Sequence, residues 1–160
     1  MTGIRRFTPE EWSTYREVRL RALADSPDAF GSTFEIESRH ADAWWQERLR
    51  DTGNSAHALP LAAEEGGEVI GLCWGRIDPA LPSVAHVFQM WVTPSHRGRG
   101  LASRLLEEVL DWAKAAGAQQ VALTVTRGNG PAYRIYTRAG FVPTGEVRPL
   151  RDGRRCRSSQ

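Results

Sequence analysis

Gln89-Met90-Trp91-Val92-Thr93-Pro94-Ser95-His96-Arg97-Gly98-Arg99-Gly100-Leu101-Ala102 is the stretch on which the fold turns. It begins in an apolar run, Val84 to Val92, that reads as a strand. It ends by opening a helix over about Gly100 to Ala116, with Leu101, Ala102, Leu105, Leu106, Val109, Leu110 and Ala113 on one face and Gly117 as the stop. The glycines between strand and helix let the backbone approach a ligand closely, and the first N–H groups of the helix lack intrahelical partners at its positive dipole end. Arg97, Arg99 and Arg104 surround that point. Strand, Gly-rich turn and helix together make an anion cradle whose natural occupant is a pyrophosphate. The plainer alternative is a strand-to-helix turn edged by solvated arginines, because short glycine patterns are common. The stretch lacks the Gly-Lys-Ser/Thr of a nucleotide P-loop, and Gly98-x-Gly100-x-x-Ser103 is only part of a dinucleotide fingerprint with no second βαβ half beside it. A mononucleotide-like tail therefore fits better than NAD or ATP hydrolysis.

Upstream, the pattern predicts antiparallel strands. Ala58 to Glu64 and Glu68 to Ile77 flank a Glu65-Gly66-Gly67 turn, and the loop Asp78 to Ser83 leads into Val84 to Val92. Before them, a short strand at Gly3 to Phe7 runs into Thr8-Pro9-Glu10-Glu11, where Thr8 caps a helix, Pro9 suits its first position and Glu11 completes a capping box. Trp12, Tyr15, Val18, Ala22 and Leu23 give that helix its apolar face, and Asp25-Ser26-Pro27 ends it. Ala29 to Glu37 has no clear period and reads as irregular, followed by a helix from about Asp42 to Arg50.

Downstream, the chain alternates. Gln120 to Thr126 reads as a strand, Pro131 to Ala139 as a helix, and Gly140-Phe141-Val142 starts another strand. Strand, helix, strand in that order requires a crossover connection and at least one parallel pair.

At 160 residues, with 41% hydrophobic and 25% charged residues, the chain suits one soluble domain that needs no disulfide or metal staple. No window approaches a membrane span of ~20 apolar residues, and the start, Met1 to Arg6, lacks the apolar run of a signal peptide, so a cytoplasmic protein is expected. Cys73 and Cys156 form no Cys-x-x-Cys pair and read as a core residue and a tail thiol. Residues 148 to 160 carry five arginines against Asp152 alone, or +4 of a total of +2, so the other 147 residues sum to −2. That body argues against a nucleic-acid partner, and the basic run reads as a solvated tail.

The two strongest motifs resemble those of the GNAT-type N-acetyltransferase superfamily. Its acyl-CoA loop, Arg/Gln-x-x-Gly-x-Gly/Ala, is matched by Arg97 to Ala102 after Thr93-Pro94, and its later element, Asn followed seven residues on by Tyr and then Gly-Phe, by Asn129, Tyr136 and Gly140-Phe141. The likeness covers about residues 3 to 147. It implies one N-acetyltransferase domain over residues 1–150, with 151–160 as a basic tail. It implies an α/β fold (α+β in some schemes), a mostly antiparallel mixed sheet with one splayed parallel pair flanked by about four helices. Acetyl-CoA is the implied cosubstrate, bound where the fourth and fifth strands separate.

The resemblance also assigns residues. Arg97 opens the cofactor-binding loop, and backbone N–H groups of Gly98, Arg99, Gly100, Leu101, Ala102 and Ser103 would hold the CoA pyrophosphate. Met90, Trp91 and Val92 would pair with the pantetheine arm like an added strand, and Asn129 would hydrogen-bond the same region. Tyr136 resembles the family's general acid for the departing thiolate, where a plain helix residue packed on the sheet is the alternative. A neutral amine would attack the thioester directly, with a backbone N–H near Trp91 or Val92 stabilising the oxyanion. No Gly-x-Ser-x-Gly elbow suggests an acyl-enzyme.

The base is not evident. Some members carry a Glu on the strand before the Asn motif, and here Leu123-Thr124-Val125-Thr126 has threonine instead. Glu35 and Glu37 are the candidates, because Phe30 to Glu35 resembles a substrate-side loop, and Phe30, Glu35, Glu37 and Gln89 are the expected acceptor-side residues. As solvent-facing acids they would favour a cationic small molecule or peptide amine, and they need no function at all. His86 is either a base or relay or a hydrogen-bonded core residue. His40, His57 and His96 show no metal-ligand spacing, and no metal is expected. Trp44 and Trp45 wall an amine pocket, or one packs in the core and the other is half exposed; Trp12, Trp74 and Trp112 read as core. After Leu150 the final strand is either short and polar or absent, with another chain, such as a second copy in a homodimer, covering the edge. A non-catalytic acyl-CoA sensor and a nucleic-acid module stay open as rivals to an N-acetyltransferase acting on a primary amine.

Overall fold

The computed structural model describes residues 2–27, 30, 32–53, 56–126, 130–141, 143–149 and 155–159. Seven strands, β1 (Thr2–Arg6), β2 (Ala58–Glu65), β3 (Glu68–Ile77), β4 (Val84–Val92), β5 (Gln120–Thr126), β6 (Pro143–Pro149) and β7 (Arg155–Ser159), form one sheet in the order β1-β2-β3-β4-β5-β7-β6. Five helices accompany them: α1 (Trp12–Asp25), α2 (Phe34–Ser38), α3 (Asp42–Gly53), α4 (Leu101–Ala115) and α5 (Gly130–Arg138). Every strand pairing is antiparallel except β4 with β5. The alternating second half predicts at least one parallel pair, and the single pair observed is the one that the family resemblance implies.

Local chemistry explains the starts and stops. The Thr8 N–H donates to Glu11 Oε1 at 2.9 Å, so the capping box forms, although the first turn, Pro9–Glu11, is a 3-10 turn before α1 proper begins. α2 replaces the irregular structure expected over this segment, because five residues are too few to show a 3.6 period. Its start is fixed by Thr33 Oγ1, which accepts from the Ile36 N–H at 3.2 Å.

Two cores lie on opposite faces of the sheet. On one, Leu101, Leu105, Leu106 and Val109 of α4 pack on Leu61, Ile70, Cys73 and Val87. On the other, Tyr15, Val18, Ala22 and Leu23 of α1 and Trp45 of α3 pack on Leu72, Trp74 and Trp91. Side chains of β3 alternate between the two, as a strand buried on both faces must. Gly75 of β3 makes room for α4: a Cβ there would lie 2.8 Å from Val109 Cγ1 and 3.0 Å from Trp112. Trp74 and Trp45 are buried, Trp44 is half-buried, and Trp12 and Trp112 sit at the margins of their clusters rather than in the core expected for them.

Two departures from regular pairing build the site. β4 pairs with β5 only from Val84–Gln120 to Val87–Leu123, while the other edge of β5 pairs with β7 over Leu123 to Thr126. The β4 segment from Phe88 to Val92 therefore has no strand on its β5 side among the described residues. In the same segment the β3–β4 register jumps from Leu72–Trp91 to Trp74–Phe88, so Cys73 faces both Gln89 and Met90. Gln89 takes up the extra residue with φ +58°, the one positive φ among the described non-glycine residues. At the C-terminus, Arg155–Ser159 of this chain supplies a five-residue strand inserted between β5 and β6.

Candidate active site

The cradle of the opening stretch has the expected backbone. After Val92 the chain is anchored by the Thr93 N–H, which donates to the Ile70 carbonyl at 2.8 Å, and Pro94–His96 forms a single 3-10 turn. Gly98 (φ +79°) and Gly100 (φ +80°) then take left-handed conformations that an L side chain enters only with strain. Gly100 is the N-cap of α4, and no side chain caps that helix. The first intrahelical bond returns from the Arg104 N–H to the Gly100 carbonyl at 3.1 Å, so the N–H groups of Leu101, Ala102 and Ser103 precede the ladder. An uncapped N-terminus preceded by open glycines is the donor set an anionic pyrophosphate requires.

The arginines there divide. Arg97 is a brace: its Nε donates to the Val92 carbonyl at 2.9 Å and its Nη2 to Asp25 Oδ2 at 2.6 Å, and Asp25 Oδ2 also accepts from the Trp91 indole at 3.0 Å. Those bonds, with the indole's the strongest influence, hold the Asp25 carboxyl below the usual carboxylate range. The Arg97 side chain thus ties the end of β4 to the end of α1, leaving its backbone for the loop. All three arginines are exposed, with Arg99 4.0 Å from Glu65 Oε1 and Arg104 Nη2 donating to the Thr2 carbonyl at 3.4 Å. His96 bonds Glu65 Oε2 through Nε2 at 2.6 Å and lies 3.0 Å from Thr93 Oγ1 through Nδ1, fastening the loop to the β2 end. The His96 bond holds the Glu65 carboxyl low.

Loop and open strand edge are continuous, because Met90, Trp91 and Val92 lead directly into Thr93. Met90 is half-buried, and Trp91 and Val92 are buried on opposite faces of the sheet. Tyr136, on α5, is 9% exposed and meets Phe141 edge to face at 6.0 Å. Burial, reinforced by Cys73, pushes its phenol up, so it is protonated at neutral pH. Cys73 is buried and its thiol is also pushed up by burial, which leaves no nucleophilic thiolate. Asn129 lies outside the described residues.

On the opposite face the acceptor-side expectations fare unevenly. Gln89 is buried at the bulge and accepts from the Tyr15 phenol at 2.8 Å. Phe30 is buried beneath Arg19, whose guanidinium carbon sits 4.8 Å from the ring centre. Glu35 is exposed on α2. Glu37 corrects the expectation of a solvent-facing acid: at 7% exposure it is locked against Arg19 by bonds of 3.1 and 2.8 Å. Both its oxygens are used, and the charge a cationic amine would seek is already neutralised. His86 is exposed rather than buried among hydrogen-bonding core groups.

Sequence reasoning missed Tyr15 as a site residue, and it missed Arg19 and Asp25. The one signal for Arg19 was its position four residues after Tyr15 and beside Val18, which puts a charge on the apolar stripe of α1. Among the described residues no group of three or more His, Cys, Asp or Glu could hold a metal, and no helix is long and apolar enough to cross a membrane.

A family model described as the acetyltransferase (GNAT) family matches residues 9–141, which spans both the cradle and Tyr136. The chain belongs to the GNAT acetyltransferase family. Its fold is that of a GNAT acetyltransferase from Streptococcus pneumoniae, with a TM-score of 0.85 at 22% identity over 99% of this chain and 97% of that one. It also matches an N-acetyltransferase from Thermoplasma acidophilum solved in complex with coenzyme A, with a TM-score of 0.73 at 17% identity over 100% of this chain and 98% of the other. By sequence the chain is 30% identical over 136 residues to the mycothiol acetyltransferase of Clavibacter michiganensis, covering 84% of this chain and 40% of that protein. The chain therefore spans less than half the length of that curated relative.

Proposed function

We propose that this GNAT chain transfers the acetyl group of acetyl-CoA to a primary amine. The observation that carries the reading is the continuity of two open surfaces: the uncapped N-terminus of α4 behind Gly98 and Gly100, and the unpaired edge of β4 from Phe88 to Val92. One suits a pyrophosphate and the other an extended amide-bearing arm, and CoA presents those groups in that order. When bound, acetyl-CoA supplies a thioester, an acyl group already activated toward an amine.

The chain's own residues divide the remaining work. Backbone N–H groups from Gly98 to Ser103 hold the diphosphate, main-chain groups of Met90, Trp91 and Val92 hold the arm, and Asn129 belongs to the same set. The bulge at Gln89 turns the backbone at the point where a strand-like ligand would end, and it aims an N–H near Trp91 or Val92 as an oxyanion donor. Tyr136 keeps a proton at Oη for the sulfur that leaves. The amine attacks directly, since the buried Cys73 offers no thiolate for an acyl-enzyme. Glu35, exposed on α2, is the proposed base that takes the ammonium proton.

We place the protein in the cytoplasm, in keeping with the unpaired thiol of Cys73. A homodimer would use the outer edge of β6, the last strand of the sheet, and sedimentation at micromolar concentration reads it.

Calorimetric titration with acetyl-CoA, CoA and ATP, followed by thiol release across an amine panel, tests the reading. Binding of both CoA species but not ATP, with release that depends on amine, is the expected result. Binding without release from any amine would make the chain an acyl-CoA sensor. Gly100→Glu, which sets a carboxylate at the anion site and a side chain at φ +80°, should weaken acetyl-CoA binding at least tenfold. Unchanged affinity would remove the loop from the site.

A further inference from the structure

The face of the sheet covered by α1, α2 and α3 holds more buried hydrogen-bond donors than acceptors. Arg19 spends Nε and Nη2 on Glu37, and its Nη1 is buried without a partner. The indole Nε1 atoms of Trp45 and Trp74 are likewise buried and unpartnered. The acceptors nearby are taken: both Glu37 oxygens by Arg19, and Gln89 Oε1 by the Tyr15 phenol. Buried polar groups are satisfied in the great majority of proteins, so three open donors in one cluster require an explanation. Low dielectric raises the stakes for the guanidinium above all.

The donors cluster beside the bulge of β4. The Tyr15 ring lies 5.8 Å from Trp45 and 5.3 Å from Trp74, and its hydroxyl reaches Gln89. α1 touches β4 again at its end, where Asp25 takes the Trp91 indole. Arg19 comes one helical turn after Tyr15 on the buried face of α1, between those two contacts in sequence, and its charge is felt at the Tyr15 hydroxyl. Charge points the same way: Arg19 and Arg48 lie within electrostatic reach of Tyr15, and Glu37, paired to Arg19, is the one buried carboxylate among the described residues.

We propose that Arg19 selects an acceptor whose amine is accompanied by a carboxylate, as in a free amino acid, and that Nη1 is the anchor. This rests on the acetyl-transfer reading and narrows it. A carboxylate supplies the acceptor oxygens that Nη1 and the indole N–H groups lack, and Glu37 holds the guanidinium plane ready for it. A polyamine would bring more donors and more positive charge to a place with a surplus of both.

Thiol release should be compared for L-amino acids and for their amides, which keep the amine and side chain but lose the anion. The amino acids should be preferred in kcat/KM by tenfold or more. Equal rates for acid and amide, or a faster polyamine, would overturn the proposal while leaving acetyl transfer standing. No release from any amine would instead overturn acetyl transfer, and calorimetry with amino acid against amide then decides the pocket by itself: selective binding of the acid supports the anchor, and equal or absent binding refutes it. Arg19→Lys retains a cation for Glu37 but has no Nη1, and it should cut the acid-over-amide preference about tenfold, mostly through KM. A structural role would lower both substrates alike and leave the ratio unchanged. Trp74→Phe, which removes one indole donor, should reduce the same ratio less, so the question remains open to test if the lysine variant folds poorly.

Discussion

Tyr136 owes its proposed role to where it is buried. A phenol with 9% exposure, raised by burial and by Cys73, stays protonated and can serve a sulfur leaving group that water could not reach as well. Tyr136→Phe removes only the hydroxyl and leaves the edge contact with Phe141. Turnover should fall about 10²–10⁴-fold with acetyl-CoA affinity nearly unchanged, as read by steady-state kinetics beside calorimetry. Asp25 makes a second prediction at this scale. Its carboxyl is held low by the Trp91 indole, Ser26 and Arg97, so it stabilises the fold above the unfolded value of about 3.9 and loses that contribution as pH falls through the lower folded value. Asp25→Asn should cost about 1 kcal/mol or less at pH 7. It should also flatten the decline in urea midpoint as pH drops below about 4.

β3 is the element that everything else leans on, and glycine is what allows it. α4 packs close because Gly75 has no Cβ to meet Val109 and Trp112. Gly75→Ala should cost about 1–3 kcal/mol by overpacking, seen as a lower denaturant midpoint with an unchanged slope. The same substitution pushes on the helix whose N-terminus forms the cradle, so acetyl-CoA affinity should weaken with it. Gly71 has the matching role against β4, where a Cβ would lie 2.9 Å from the Trp91 carbonyl beside the bulge.

For the whole molecule, β7 is the strand that joins β6 to the rest of the sheet. It pairs with Leu123 to Thr126 on the edge of β5 away from β4, and it carries β6 on its other edge. Ending the chain after Leu150 should leave β5 with a free edge, drop the thermal midpoint by several degrees or more, and favour association through the exposed strand. Thermal scans with light scattering check this, and a truncated chain that melts unchanged and stays dispersed would show that β7 is dispensable.

The elements and their order were legible because their causes are local. The period of α4, the capping box at Thr8, the Glu65-Gly66-Gly67 turn and the glycines at 98 and 100 each act within a few residues, so the chain by itself determines a strand, a cradle and a helix in sequence. α2 escaped because its five residues make little more than one turn, too few for a repeat to show. The acceptor side escaped for another reason: Arg19 and Glu37 are 18 positions apart, Tyr15 and Gln89 are 74 apart, and Asp25 meets Trp91 across 66. Whether a carboxylate faces solvent or is neutralised by a buried guanidinium depends on packing among α1, α2 and β4, which no local pattern encodes. The sequence thus determined the strand, the glycine turn and the uncapped helix start that follow one another along the chain, while tertiary structure alone decided that Glu37 is buried and paired to Arg19 instead of open to solvent.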